Sequence, residues 1–219
     1  MFSNFDTKVI LDNLPTLLAG MQLTLLLTLI AIVGGLVLGT ILALCRLSPF
    51  RPLSFVAAGY VNFFRSMPLI LVIFWFYFLV PRIVGQPVGG FYSVLTAFVL
   101  FEAAYYCEIM RAGIQSVRTG QVHAGQALGL TYAQNMRYVV LPQAFRNMVP
   151  VLLTQAIILF QDTSLVYVVG VKDFLVSADL VANRENRILE MFTTVAVVYF
   201  AMCLAGSLFI KRLQRKYAT

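Results

Sequence analysis

Histidine is nearly absent from this chain: 219 residues contain one, His123, together with three widely separated cysteines, Cys45, Cys107 and Cys203. A single imidazole cannot build a histidine metal cluster or a Ser-His-Asp triad. The cysteines have neither disulfide-framework nor metal-ligand spacing, and they read as reduced packing residues. No catalytic, metal or cofactor site is expected in the chain itself. Charge is also scarce, at 11% against about 25% in soluble domains. With 60% hydrophobic residues and a mean hydropathy of +0.87, the composition excludes a soluble domain and describes a polytopic membrane protein. The net charge of +7 would suit nucleic acid, yet the basic residues stand at the ends of apolar runs, where they orient a protein in lipid. No Gly-Lys dipeptide occurs, so the phosphate-cradling loop G-x-x-x-x-G-K-[ST] is missing.

What is present is apolar sequence in membrane-length blocks. A span needs about 20 apolar residues, and five candidates follow: residues 20–44, 54–80, 91–110, 148 to between 159 and 169, and 188–210. The N-terminus lacks the basic segment and cleavage site of a signal peptide, so the first run is expected to stay in the mature protein. Placing the C-terminus inside puts Arg46, Arg51, Arg65, Arg111, Arg118, Arg137, Arg146, Lys211, Arg212, Arg215 and Lys216 in the cytoplasm, 11 of the 16 Lys and Arg. The positive-inside bias therefore predicts N-terminus out and C-terminus in. Residues 5–20 mix apolar residues with Asp and Lys and read as an interfacial helix on the outer face. Gly34, Gly35 and Gly39 include a G-x-x-x-G spacing that permits close helix crossing, within the subunit or at a dimer seam.

Between the third and fourth spans lies GQVHAGQALGLTYAQNMRYVVLPQAF, residues 120–145, the least apolar long stretch of the chain. A helix over about residues 113–128 is predicted to end at Gly129, a left-handed C-cap type. Thr131 and Gln134 fit a capping box opening a second helix through Val140, and Pro142 would then reopen the chain toward the fourth span. Ala124, Gly125 and Ala127 give this shelf a small-residue surface that another protein could approach, or the shelf packs on its own membrane ends.

GQVHAGQALG followed by LPQAF resembles the EAA loop of permease subunits of ATP-binding-cassette importers, with Ala124, Gly125, Gly129, Leu141 and Pro142 at matching positions. His123 stands where that family usually has Glu, and Gly125 where it usually has its second Ala. NFFRSMPLILV, AAYYCEIMRAGIQSV and FQDTSLVYV resemble the polar amino-acid branch, closest to its glutamate/aspartate permeases, and the likeness extends over nearly the whole chain. The resemblance implies a single permease domain of residues 1–219, an all-α membrane protein of five transmembrane helices in the type I importer fold. Residues 19–210 would form the membrane core and residues 113–141 the cytoplasmic coupling segment. It further implies a second homologous permease, an ATPase dimer that holds ATP and magnesium, an external solute-binding protein and an amino-acid substrate. His123, Ala124, Gly125, Gln126, Gly129 and Leu130 would form the ATPase-coupling surface.

Ionisable groups inside a membrane are costly and mark pathways or buried pairs. Glu102 lies nine residues before Arg111, about 14 Å along a helix at about 1.5 Å per residue. It would meet a substrate ammonium, or be a protonated or hydrogen-bonded structural group reached by a tyrosine such as Tyr106 one turn on. Glu108 is spaced for a helical pair with Arg111. Arg65, before Ser66 and Pro68, would satisfy carbonyls freed at a kink, grip a substrate carboxylate as a bidentate donor, or reach the inner surface. Asp162, Thr163 and Ser164 are N-cap types that suggest a break exposing backbone amides. With Gln155 and Gln161 they make the fourth span a candidate pathway wall. A self-sufficient secondary transporter and a membrane enzyme are the alternatives, and the first predicts uptake by the chain alone.

Overall fold

The computed structural model describes residues 5–217, with side chains through Arg215. Met1 to Asn4, Ala218 and Thr219 lie outside it, as does the side chain of Lys216 in the expected basic cluster. The regular elements of the described residues are all helices joined by short turns: α1 (Thr7–Asp12), α2 (Leu14–Leu47), α3 (Arg51–Arg65), α4 (Leu69–Phe74), α5 (Val80–Val84), α6 (Gly90–Gln115), α7 (Thr119–Ala127), α8 (Tyr132–Asn135), α9 (Leu141–Asp162), α10 (Phe174–Glu185) and α11 (Ile188–Tyr217). Five-residue π turns occupy Trp75–Leu79 and Met136–Val140, and a 3-10 helix occupies Thr163–Val169. Four segments are long and apolar enough to cross a membrane: Leu14–Leu47, Gly90–Gln115, Tyr132–Val169 and Ile188–Arg215. Arg51–Arg65 and Leu69–Val84 make a fifth if the bent pair is one span.

Two expectations need correction. The single helix expected over residues 5–20 is divided: α1 is a short helix capped by Asp6, whose carboxylate accepts from the Lys8 amide at 2.9 Å. Residues from Leu14 onward belong to the long α2, because Pro15 falls in its first turn, where no amide donor is needed. Pro142, in turn, does not reopen the chain. The helix continues through Pro142 and Pro150 to Asp162, because the π turn before Pro142 widens the backbone: the Leu141 amide donates to the Met136 carbonyl five residues back. A proline ring excludes the carbonyl four residues before it, and a wider turn removes that clash. The same device precedes Pro81, where the Val80 amide donates to Trp75.

The chain divides into two compact units. One comprises Met1–Ile32, Pro68–Phe98 and Ala156–Phe209. Its core gathers Leu17, Phe174, Ala178, Val181, Ala182, Met191 and Val195. Gly20 makes that packing possible, since a Cβ there would lie 2.6 Å from the Asp173 carbonyl oxygen. Asp173 is fully buried and caps α10 through the Val176 amide at 2.8 Å. Burial pushes its carboxyl up to about 6 from 3.8. The folded chain therefore keeps a proton between about pH 4 and 6 that the unfolded chain has released, so stability falls as pH rises through that window. Asp173→Asn retains the capping acceptor without the charge. It is expected to flatten the dependence of the thermal midpoint on pH between about 4 and 6, and an unchanged slope would assign that dependence elsewhere.

The other unit comprises Val33–Met67, Val99–Gln155 and Ile210–Thr219. Here α2 crosses α6 closely. A Cβ on Gly35 would lie 3.0 Å from Glu102 Cβ, and one on Gly39 would lie 3.0 Å from the Ala103 carbonyl. The G-x-x-x-G spacing thus serves packing inside the subunit.

Candidate functional site

The polar insert folds as a pinned pair of short helices. It is not a continuation of α6, as the single helix expected over residues 113–128 would require. α6 stops at Gln115, where the Ser116 hydroxyl donates to the Gly113 carbonyl at 2.7 Å and accepts from Asn147 Nδ2 at 2.8 Å. Leaving the helical path turns Val117 into a small core with Val140, Ala144 and Met148. α7 ends as predicted at Gly129, φ 79°, with the Leu130 amide donating to Gly125 and the Gly129 amide to Gln126, a Schellman closure. The predicted capping box of Thr131 and Gln134 is present at the start of α8. α8 itself is only four residues before the π turn.

Gly125 departs from the expected small-residue surface. It is buried, and a Cβ there would lie 2.9 Å from Asn135 Cγ. Asn135, which sequence reasoning passed over, donates from Nδ2 to the Val122 carbonyl at 2.8 Å and so fastens α8 to α7. No local sequence pattern marked it, because the carbonyl it holds lies across the turn on α7. The opposite face is open: His123, Ala124, Gln126, Ala127 and Gly129 are exposed, Leu130 is half-buried, and Leu128 and Tyr132 are 82% and 80% exposed.

A second cluster forms around Glu108. The predicted pair with Arg111 is there, with Arg111 Nη2 on one carboxylate oxygen and Nε on the other at 3.2 Å. Two further arginines join from other helices. Arg46, read from sequence only as a topological charge, donates to Glu108 Oε2, and Arg65 Nη1 approaches that atom at 4.0 Å. Arg65 also lies over the Tyr105 ring, 5.5 Å from its centroid.

Glu102 and Gln155 are brought together. Glu102 has no exposed surface, and Gln155 Nε2 donates to its two carboxylate oxygens at 3.1 and 3.3 Å. The hydroxyl of Tyr106, one turn on, is buried with no hydrogen-bond partner among the described residues.

The remaining predicted residues, Gln161 to Ser164, belong to the other unit. The expected break with open amides is absent. The helix tightens from α to 3-10 instead, because the Thr163 and Ser164 hydroxyls bond backward to the Phe160 and Gln161 carbonyls at 2.6 and 2.8 Å. Asp162 offers no capping hydrogen bond, although Gln161 is exposed and Asp162 half-exposed.

Among known proteins, residues 35–219 match the family described as binding-protein-dependent transport system inner membrane component. The glutamate/aspartate import permease protein GltK of Escherichia coli O6:H1 is 47% identical over 98% of this chain and 99% of its own length. The arginine transport system permease protein ArtQ of Bacillus subtilis is 33% identical over 97% of each. A crystal structure of an amino acid ABC transporter with histidines superposes with a TM-score of 0.92 at 32% identity, covering 96% of this chain and 98% of that one.

Proposed function

Since the chain belongs to the inner-membrane components of binding-protein-dependent transport systems, we infer that it is the permease subunit of an ATP-driven importer of polar amino acids, glutamate and aspartate foremost. It is not an enzyme: ATP hydrolysis resides on a separate ATPase chain, and a solute-binding protein delivers the substrate. The similarity to a glutamate/aspartate import permease over nearly the full length supports that substrate class. A second, homologous permease completes the pathway, and ATP and magnesium stay with the ATPase dimer. The N-terminus lies outside and the C-terminus inside, in keeping with the basic residues that follow α11.

The observation that carries the mechanism is the pinned helix pair. With Asn135 and the Schellman closure fixing its inner side, α7 and α8 move as one piece. His123, Ala124, Gln126, Gly129 and Leu130 present the coupling face, and Gly125 acts from within as the fastening. ATP binding that favours one arrangement of the ATPase dimer then shifts the permease between inward- and outward-facing states, by as much as its differential affinity. Candidate pathway residues are Arg65, Glu102 and Gln155 in one unit and, taken separately, Gln161, Asp162, Thr163 and Ser164 in the other.

Cysteine placed at Ala124 is expected to cross-link to the ATPase in the assembled complex and to be reached by a thiol reagent only from the cytoplasmic side. Labelling from outside, or glutamate uptake by the chain without any ATPase, would overturn the reading in favour of a secondary transporter.

A further inference from the structure

Three guanidiniums share one carboxylate at Glu108, three positive charges against one negative. A structural ion pair needs no such excess, because every unmatched charge taken from water is costly. The three arginines are unequally occupied. Arg111 is filled by both Glu108 oxygens and by Gln115 Oε1 at 2.5 Å. Arg46 is committed to Glu108. Arg65 is different: among the described residues it has only the 4.0 Å approach, beyond the hydrogen-bond range of about 2.7–3.2 Å, and the face of Tyr105. A guanidinium carries its donors along its edge, in the fork geometry that matches a planar carboxylate. The side chain is 40% exposed, so that edge is accessible.

Of the four charged residues of the cluster, Glu108 alone borders a cavity of about 310 Å³, whose wall is otherwise mostly apolar, with Ser116 and Asn147 as its other polar groups. That volume is at the lower end of the roughly 300–1,000 Å³ typical of small-molecule sites. We propose that the arginine cluster is a binding site for the carboxylate of an acidic amino acid, with Arg65 as its open donor and Glu108 as a tethered competitor for the same guanidiniums. The proposal rests on the importer function inferred above and adds a station to it. A glutamate side chain already sits where the ligand's own carboxylate would go, so loading and release become an exchange between two chemically equal groups. The ligand leaves as Glu108 reclaims the arginines.

The test uses the complete complex, with its partner permease and ATPase, in phosphatidylcholine nanodiscs without the binding protein. Equilibrium binding of radiolabelled glutamate is measured on the wild type, Glu108→Gln, Arg65→Gln and the double variant. Removing the competitor is expected to lower the half-saturating concentration about tenfold, and removing the fork to raise it about tenfold, the scale of one charge-assisted hydrogen bond. The double variant should lose the gain of Glu108→Gln. Arg65→Lys, which keeps the charge without the fork, should recover only part of the loss. Half-saturation unchanged in Glu108→Gln would overturn the proposal and leave the cluster a clamp between helices. Adding phosphatidylglycerol separates the two sources of anion: if it abolishes the gain at all glutamate concentrations, the site takes lipid phosphate and the amino-acid assignment fails. ATP-driven uptake by the wild type is measured alongside. Its absence would overturn the importer reading and the proposal with it, whereas normal uptake with unchanged binding in Glu108→Gln would overturn the proposal alone.

Discussion

Replacing Gly125 with valine is expected to cut ATP-driven uptake roughly 5- to 150-fold, the range given by couplings of 1–3 kcal/mol between two sites. A Cβ at this position would lie 2.9 Å from Asn135 Cγ and 3.1 Å from its Nδ2, and valine adds two more methyls. Asn135 must then leave the Val122 carbonyl, which it holds at 2.8 Å, and the joint between α7 and α8 opens. The spans are anchored by packing elsewhere, notably by the contacts of Gly35 and Gly39 with α6. The amount of complex recovered from the membrane should therefore change little while transport falls. Gly125→Ala, with one methyl that a shift of the Asn135 amide would relieve, should lose less. ATP hydrolysis measured with uptake separates the outcomes: hydrolysis that continues without transport marks a slipping joint. Full uptake by Gly125→Val would show that force reaches the spans by another route.

That joint illustrates which features were readable in advance. Gly129 and the Thr131–Gln134 box depend on the backbone within a few residues, and both occur as their sequence predicts. The pair of Glu108 and Arg111 is likewise set by helical spacing. The membrane spans need only length and apolarity, which composition carries directly. Gly125 was misassigned to the surface because the residue it faces, Asn135, lies beyond the turn, and no local pattern says which side of a short helix looks inward. Arg46 reaches Glu108 from 62 residues away, a contact that no spacing rule contains. At Thr163 and Ser164 the residue types were read correctly and their direction was not. A hydroxyl that caps a following helix bonds equally well to the carbonyl three residues behind it, and the continuing apolar helix provided that carbonyl first. Pro142 was expected to open the helix because a proline costs an ordinary α turn about 3 kcal/mol. The π turn removes most of the clash, and only the three-dimensional backbone reveals it.

Glu102 and Gln155 present the sharpest separation of a pathway group from a structural one, and two substitutions distinguish them. Gln155→Leu removes the amide donor that Glu102 holds at 3.1 and 3.3 Å. A hydrogen bond to a charged group contributes about 1.5–3 kcal/mol, so a marked fall in the thermal midpoint of the complex is expected. Uptake falls with it, which by itself does not tell the roles apart. Glu102→Gln keeps a side chain of the same shape and an oxygen that still accepts from Gln155, while removing a carboxylate that is wholly enclosed. Its thermal midpoint should therefore stay close to that of the wild type, because the shape and the hydrogen bond from Gln155 are kept. If Glu102 receives the substrate ammonium, its loss removes one charge-assisted contact and uptake should drop about tenfold or more at unchanged stability. Wild-type uptake by Glu102→Gln would make the pair a packing element between α6 and α9 and move the pathway away from it.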